Sequence, residues 1–214
     1  MALPFTEEAF FEVMRAYNEG VRPAQYALTA VALACVALVT VRSPFASRLI
    51  CGGLALLWTW SALAYHFSYF REINPAAPWF AGLFLAGAFF IAWEGLAHGR
   101  LSFDRESPRR SMGALLVLYA LVGYPVLGAL LGHRYPESPT FGMPCPTAIF
   151  TLAMLLFLRR PFARWVLAAP LAWAAIGSQA AVLFGVYEDL GLLVAAAATL
   201  LPSPARPLRE SGPA

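Results

Sequence analysis

Two histidines and one cysteine are the residues of this sequence best suited to bind a transition metal. His66 and His133 each end an apolar stretch, and a glutamate follows each of them within six residues. Imidazole nitrogen and cysteine sulfur are ligands that zinc, copper and related metals accept. If their segments fold toward one another, His66, His133 and Cys145 form a metal site with two nitrogens and one sulfur. The alternative is that both histidines are ordinary amphipathic side chains at a membrane boundary.

The segment 132–147 cannot form a continuous helix, because it contains four prolines and two glycines. Backbone groups freed in this way must be buried in protein or face water if they lie at membrane depth. Interrupted helices of this kind hold the substrate in many transporters. The segment contributes Tyr135, Cys145 and Thr147 as candidate ligands. For Cys145, which lies between two prolines, the alternative is a rigid turn in which the side chain only packs.

Four further polar residues lie in or beside apolar stretches. Asn74 precedes Pro75, so its main expected role is to start a turn. Binding a ligand is its second expected role. Gln179 follows a Gly-Ser pair, at a depth where polar groups generally face the interior of a bundle. Glu188 precedes the last apolar stretch, where it could attract a cation or cap a helix, and Glu94 is expected to be an interfacial carboxylate. The candidate ligand-binding residues are therefore His66, Asn74, His133, Tyr135, Cys145, Thr147, Gln179 and Glu188.

The composition indicates a membrane protein. Hydrophobic residues make up 60% of the chain, charged residues 13%, and the mean hydropathy is +0.64, against about 45–50% apolar and about 25% charged residues in soluble domains. All fifteen basic residues are arginine. Because retinal is bound through a lysine Schiff base, a retinal protein is excluded. The arginines are scattered through short loops, so nucleic acid is not an expected partner.

The apolar stretches predict an all-α membrane protein with about seven transmembrane helices, since about 20 apolar residues cross the hydrocarbon layer. An N-terminal interfacial amphipathic helix over 5–18, with Thr6 as its N-cap, precedes the spans. The proline-rich tail 202–214 is predicted to be disordered and cytoplasmic. Residues 1–201 then form one transmembrane domain, with spans at 23–41, 49–67, 78–97, 112–131, 143–158, 162–184 and 186–201.

The distribution of arginine predicts the orientation of the chain. With seven spans, eleven arginines lie on one side and four on the other, and short cytoplasmic loops are the arginine-rich ones. The N-terminus is therefore expected outside and the C-terminus in the cytoplasm, which places nearly all the unusual residues on the outer face. A re-entrant 143–158 segment is the alternative, and it would break this pattern.

Several strings spread along the chain point to one family. LPFTEEAFFEV, AYH at 64–66, INPAA at 73–77, GHRYP, FGMPCPT and EDLGLLVA together resemble a bacterial family of multi-pass membrane proteins catalogued as a domain of unknown function. The similarity covers most of the chain, except for the tail and the arginine-rich loops. It implies a multi-pass protein of the bacterial inner membrane, and it implies no activity.

These features predict a small transporter, channel or binding protein for an ion or small solute, with its site on the outer face. No familiar catalytic or nucleotide-binding motif is present in the sequence, so we do not expect an enzyme. One alternative is a non-catalytic accessory subunit of a larger membrane complex, and another is an intramembrane thiol enzyme with Cys145 as nucleophile and His133 as base. The lipid bilayer, another membrane protein or a second copy are the expected partners, and a transition metal is the one cofactor suggested.

Overall fold

The computed structural model describes residues 4–159 and 161–201, and the predicted disordered tail lies outside these residues. Within these ranges the chain is helical and contains no β-strand, which confirms the predicted all-α class. The α-helices are α1 Glu7–Gly20, α2 Arg22–Leu38, α3 Pro44–Trp60, α4 Ala77–Ala92, α5 Arg110–Leu118, α6 Tyr124–Leu130, α7 Pro144–Leu155, α8 Ala168–Gly177, α9 Gln179–Leu183 and α10 Leu190–Leu200.

Four continuous helical stretches are long and apolar enough to cross a membrane. Helices α1 and α2 together meet the same criteria, but they are bent by 84° and form either a broken span or a re-entrant pair. Among the described residues, length and composition thus support four or five spans, and the predicted seven are not confirmed. The four stretches are Pro44–Glu72, Ala77–Ala97, Arg110–Leu130 and Arg164–Leu183.

Two of the predicted spans, 143–158 and 186–201, contain helices too short to cross a membrane. Helix α7 has 12 residues and α10 has 11, so they rise only about 18 Å and about 17 Å, against a hydrocarbon layer of about 30 Å. In α7 every residue except Cys145 is buried, and the helix packs against α5, α8 and α10. Its residues are apolar because they form the protein core, a cause that a count of apolar residues cannot distinguish from lipid contact.

Three of the long stretches contain π-helical turns, at Ser61–Tyr69, Trp93–Ala97 and Tyr119–Gly123. A π-helical turn shifts the side chains that follow it to another face of the helix, and such turns are frequent at functional sites. His66 in the first and Glu94 in the second are both fully buried. Glu94 is therefore enclosed by the protein and does not extend toward water, while its depth in a membrane stays a prediction.

Helix α1 covers one end of the bundle. Its N-cap is Thr6, as predicted, and its bounds lie two residues later than the predicted 5–18 at each end. Phe10 and Tyr17 are buried, and the Phe10 ring stacks on Phe184 with the ring centroids 4.4 Å apart. The apolar face of the helix thus packs on the protein, while its location in a membrane interface stays a prediction.

Asp104 attaches the loop between α4 and α5 to the chain that follows α7. Its N–H donates to the Phe157 carbonyl at 2.8 Å. Its carboxylate accepts from the Glu106 N–H at 3.0 Å and lies 2.9 Å from the Arg159 guanidinium. The Glu106 hydrogen bond, followed by the Arg159 side chain, holds the pKa of Asp104 below its ordinary value.

We expect Asp104→Asn to reduce stability at neutral pH and to have little effect in acid. A carboxylate with a lowered pKa stabilises the fold above its unfolded pKa of about 3.9, and this contribution is lost as the pH falls through the folded pKa. The loss at neutral pH should be about 1 kcal/mol or less, because Arg159 is exposed. Thermal unfolding of both proteins between about pH 3 and pH 7 measures it, and a difference that persists unchanged in acid contradicts the expectation.

Candidate functional site

A cavity of about 170 Å³ lies where α1, α4, α6 and α8 meet the start of α7. Three segments that connect α-helices contribute to its wall, at 73–76, 131–143 and 184–189. Most of the wall is aromatic or aliphatic, with Phe10, Phe70, Phe80 and Phe184 among the contributing rings. Against this apolar wall stand a few groups that can form hydrogen bonds, namely Tyr65, His66, Asn74, Tyr124, Cys145, Trp173, Gln179 and Asp189.

His66 lies in a box of aromatic rings. Its ring centroid is 5.0 Å from those of Phe84 and Trp173 and 5.8 Å from that of Phe80. The side chain is fully buried, and neither Nδ1 nor Nε2 has a hydrogen-bond partner among the described residues. Most buried polar groups are paired, so an imidazole with two unpaired nitrogens on a cavity wall requires an explanation.

Trp173 lies beside the His66 ring, with the ring centroids 5.0 Å apart. Its Nε1–H is buried and interacts with the Cys145 thiol, a weak acceptor. A neutral imidazole donates from one nitrogen and accepts at the other. His66 therefore presents one unused donor and one unused acceptor within a mainly aromatic wall.

Asp189 supplies the carboxylate of the cavity. Its Oδ1 accepts a hydrogen bond from the Tyr124 hydroxyl at 2.5 Å, and both side chains are buried. The Cys145 thiol interacts with the same carboxylate and with the Trp173 indole. Asp189 is thus held in place by its own neighbours, which leaves the two His66 nitrogens as the unpaired groups of the wall among the described residues.

His133 pairs with Glu188 beside the cavity rather than with His66. Its Nδ1 is 2.9 Å from Glu188 Oε1, and its ring stacks on Phe11 with the ring centroids 5.3 Å apart. Glu188 is fully buried, and its backbone carbonyl accepts a hydrogen bond from the Tyr119 hydroxyl at 2.7 Å. The pair connects the 131–143 segment to the turn before α10.

The predicted ligand-binding residues separate into two groups. Four of them, His66, Asn74, Cys145 and Gln179, line the cavity together. The other four lie elsewhere: His133 pairs with Glu188, the Tyr135 hydroxyl donates to the Asn18 carbonyl, and the Thr147 hydroxyl is buried without a partner among the described residues.

Asn74 and Gln179 each have a local role in addition to lining the cavity. The Asn74 Oδ1 accepts from the Ala76 N–H at 2.9 Å, which is the turn that its position before proline predicts. Gln179 is exposed and donates to the Ala175 carbonyl at 3.3 Å. The expectation that Gln179 faces the bundle interior is therefore wrong, since its side chain lies at the edge of the cavity.

The three predicted metal ligands do not form a metal site in the structure. Across residues 4–159 and 161–201, no three His, Cys, Asp or Glu side chains are close enough together to hold a metal ion. His66 and Cys145 share the cavity, but His133 is not part of its wall. The two histidine segments do fold toward each other, since the Ser61 hydroxyl donates to the Gly142 carbonyl at 2.8 Å, but the His133 side chain reaches Glu188 instead of the cavity.

Residue-type arguments missed Trp173 and Tyr124 as members of the site. Both lie inside long apolar stretches, where an aromatic residue reads as core or lipid contact. One feature of the sequence could have indicated them. The Tyr hydroxyl and the Trp indole N–H each need a hydrogen-bond partner when the side chain is buried. The Tyr124 hydroxyl donates to Asp189, and the Trp173 indole interacts with the Cys145 thiol.

Over the described residues, fold and site together define a helical protein with four or five helices of membrane-spanning length and an aromatic, sparsely polar cavity. The chain belongs to the Family of unknown function (DUF6064), whose model matches residues 7–206. This match confirms the predicted membership of a family without a known activity. No curated protein and no solved structure is significantly similar to the chain.

Proposed function

We propose that the protein binds a small, uncharged, planar solute in the aromatic cavity and acts as a membrane transporter or binding protein for it. The observation that carries the proposal is the pair of buried His66 nitrogens, which have no partner among the described residues. A solute with one acceptor and one donor would satisfy them. The carboxylate of Asp189 already accepts from Tyr124, so the cavity does not require a cationic ligand.

The size of the cavity limits the solute to about one aromatic ring with a few substituents. Its volume is about 170 Å³, and an apolar cavity of about 150 Å³ holds benzene. The surrounding rings favour stacked or edge-on contacts with a flat molecule. A substituted benzene, a phenol or a heteroaromatic amide meets these requirements of size and hydrogen bonding.

A helix interruption at the cavity supports transport over static binding. Transporters place their substrates where helices are discontinuous, because the interrupted segments can rearrange and their backbone groups can contact the substrate. Of the three connecting segments at this cavity, 131–143 fits this description, because it leads into α7, which is apolar but too short to cross a membrane. Under this proposal the protein lies in a bacterial inner membrane; the arginine count that predicts an outward-facing site applies to seven spans and not to the four or five that the described residues support.

Binding of simple aromatic probes to the purified protein tests the proposal. We expect phenol, indole or nicotinamide to bind more tightly than benzene, because only the first three can hydrogen-bond to His66 or Trp173. His66→Phe and Trp173→Phe should each weaken binding of the best probe by about 5- to 30-fold, the equivalent of about 1–2 kcal/mol for one hydrogen bond. Titration calorimetry provides the measurement.

Two exposed residues of the same types serve as matched controls. His98 and Trp165 lie away from the cavity, so His98→Phe and Trp165→Phe should leave probe binding unchanged. The proposal is wrong if no probe binds better than benzene, or if all four variants bind alike. Uptake of labelled nicotinamide into proteoliposomes then separates a transporter from a binding protein.

A further inference from the structure

A second buried carboxylate lies at the opposite end of the bundle, at Glu94. It is 14 residues after Phe80 on the same helical stretch, so about 21 Å separates it from the aromatic cavity along the helix axis. Glu94 is fully buried. Its Oε1 is 3.5 Å from Arg100 Nη1, at the outer limit of a hydrogen bond. Its Oε2 is buried and has no partner in the described ranges.

A separate cavity of about 400 Å³ adjoins this carboxylate. Glu94 and Arg100 form its charged part, Phe162 and Trp165 form an aromatic part, and Pro161 and Ala163 complete it. The Arg100 side chain is 59% exposed, and within the described residues it has only the long contact with Glu94. A guanidinium has five N–H donors, so most of them remain available to a ligand.

A buried carboxylate oxygen without a hydrogen bond is costly, and a charged donor is the group that offsets this cost best. A primary ammonium fits the position, because it donates to the carboxylate and is also attracted by an aromatic face such as that of Trp165. A cation alone would leave the Arg100 donors unused and would be repelled by the guanidinium. An anionic group on the same ligand removes both objections.

We propose that this second cavity binds a zwitterion whose primary ammonium contacts Glu94 and whose anionic group, a phosphate or carboxylate, contacts Arg100. Aminoethyl phosphate is the simplest compound with this arrangement. The same chemistry occurs in the head group of an ethanolamine phospholipid and in free phosphoethanolamine. The site is independent of the aromatic cavity and of the solute proposed for it.

The soluble form of the ligand is tested by calorimetry on the full chain in detergent. We expect phosphoethanolamine to bind at least tenfold more tightly than ethanolamine, which lacks the anion, or ethyl phosphate, which lacks the ammonium. Glu94→Gln keeps the shape of the side chain and should weaken phosphoethanolamine binding at least tenfold. Glu106→Gln, at an exposed carboxylate in the following loop that pairs with Arg42, should have no effect.

The lipid form is tested by mass spectrometry of protein released from vesicles of phosphatidylglycerol with either phosphatidylethanolamine or phosphatidylcholine. Retention of phosphatidylethanolamine alone, lost in Glu94→Gln, identifies the lipid head group, because the choline ammonium cannot donate a hydrogen bond. Binding of phosphoethanolamine without lipid retention identifies a soluble ligand. Arg100→Gln, at an exposed position that folding should tolerate, must also weaken binding of either form.

Either of two results would overturn the proposal. The first is that wild type binds neither phosphoethanolamine nor phosphatidylethanolamine. The second is that Glu94→Gln or Arg100→Gln binds the zwitterion as tightly as wild type does, which would mean that water alone satisfies the Glu94 carboxylate.

Discussion

Replacing Trp58 with alanine should lower the free energy of unfolding by about 3–5 kcal/mol, the largest effect that we expect from a single substitution. Trp58 is fully buried in α3. Its ring stacks on Phe84 with the centroids 4.4 Å apart, and its Nε1–H donates to the Thr151 hydroxyl at 2.8 Å. Alanine would leave a cavity between α3, α4 and α7 and would remove the donor to Thr151.

Packing rather than transfer from water accounts for most of this loss. Lipid and detergent are as apolar as the protein interior, so helices associate in a membrane mainly through close packing and hydrogen bonds. Helices α3 and α4 pack closely at this point. A Cβ added at Gly87 of α4 would lie only 2.5 Å from the Trp58 ring, so no larger residue fits there without a shift. A cavity at this point cannot be filled without a shift of α4 relative to α3.

Thermal or denaturant unfolding in detergent measures the effect, with Trp79→Ala as the matched control. Trp79 is 81% exposed on α4, so its replacement should change the free energy of unfolding by less than about 0.5 kcal/mol. Equal losses in the two variants would show that Trp58 does not hold α3, α4 and α7 together. Trp58→Phe combined with Thr151→Val would then separate the hydrogen bond from the packing.

Replacing Asn18 with alanine should lower the free energy of unfolding by about 2–4 kcal/mol, because it removes four hydrogen bonds and leaves the half-buried carbonyls of Pro136 and Ser138 without their donor. The Asn18 amide donates to the carbonyls of Pro136 and Ser138 at 2.6 and 2.8 Å. Its Oδ1 accepts from the Gln25 amide at 2.7 Å and from the Thr140 hydroxyl at 2.6 Å. One fully buried side chain thus connects α1, α2 and the 131–143 segment.

The same substitution should also weaken probe binding in the aromatic cavity, since α1 and the 131–143 segment both contribute to its wall. Glu19→Gln is the control, because Glu19 is the exposed neighbour of Asn18 on the same helix. Calorimetric unfolding gives the stability, and the probe titration gives the binding. Unchanged stability in Asn18→Ala would show that the 131–143 segment is held by other contacts.

Local sequence rules predicted the local features of this protein well. Thr6 caps α1, because a threonine before two glutamates is a favourable helix start in any context. Asn74 forms a turn before Pro75, and the prolines of 132–147 interrupt the helices. These features depend on the backbone preferences of residues within a few positions of one another, and those preferences follow directly from the residue types.

Which candidate residues lie together in the structure could be predicted only in part from the sequence. His66 and Cys145 do share a cavity, as their proposed role in one site required. His133 pairs with Glu188, 55 residues further along the chain, and nothing in the spacing of either residue indicates this partner. The π-helical turn that carries His66 and the lack of a partner for its two nitrogens likewise have no signature in the sequence.

The sequence by itself determined that the chain is helical and apolar, where its helices are interrupted, and which polar residues are scarce enough to matter. The tertiary structure alone decided which apolar helices are long enough to span a membrane, which polar groups meet, and which remain unpaired. The reason is that a helix in contact with lipid and a helix in the protein core both consist of apolar residues. Helix α7 therefore has the composition of a membrane span although it is a central core helix. Only packing distinguishes the two environments.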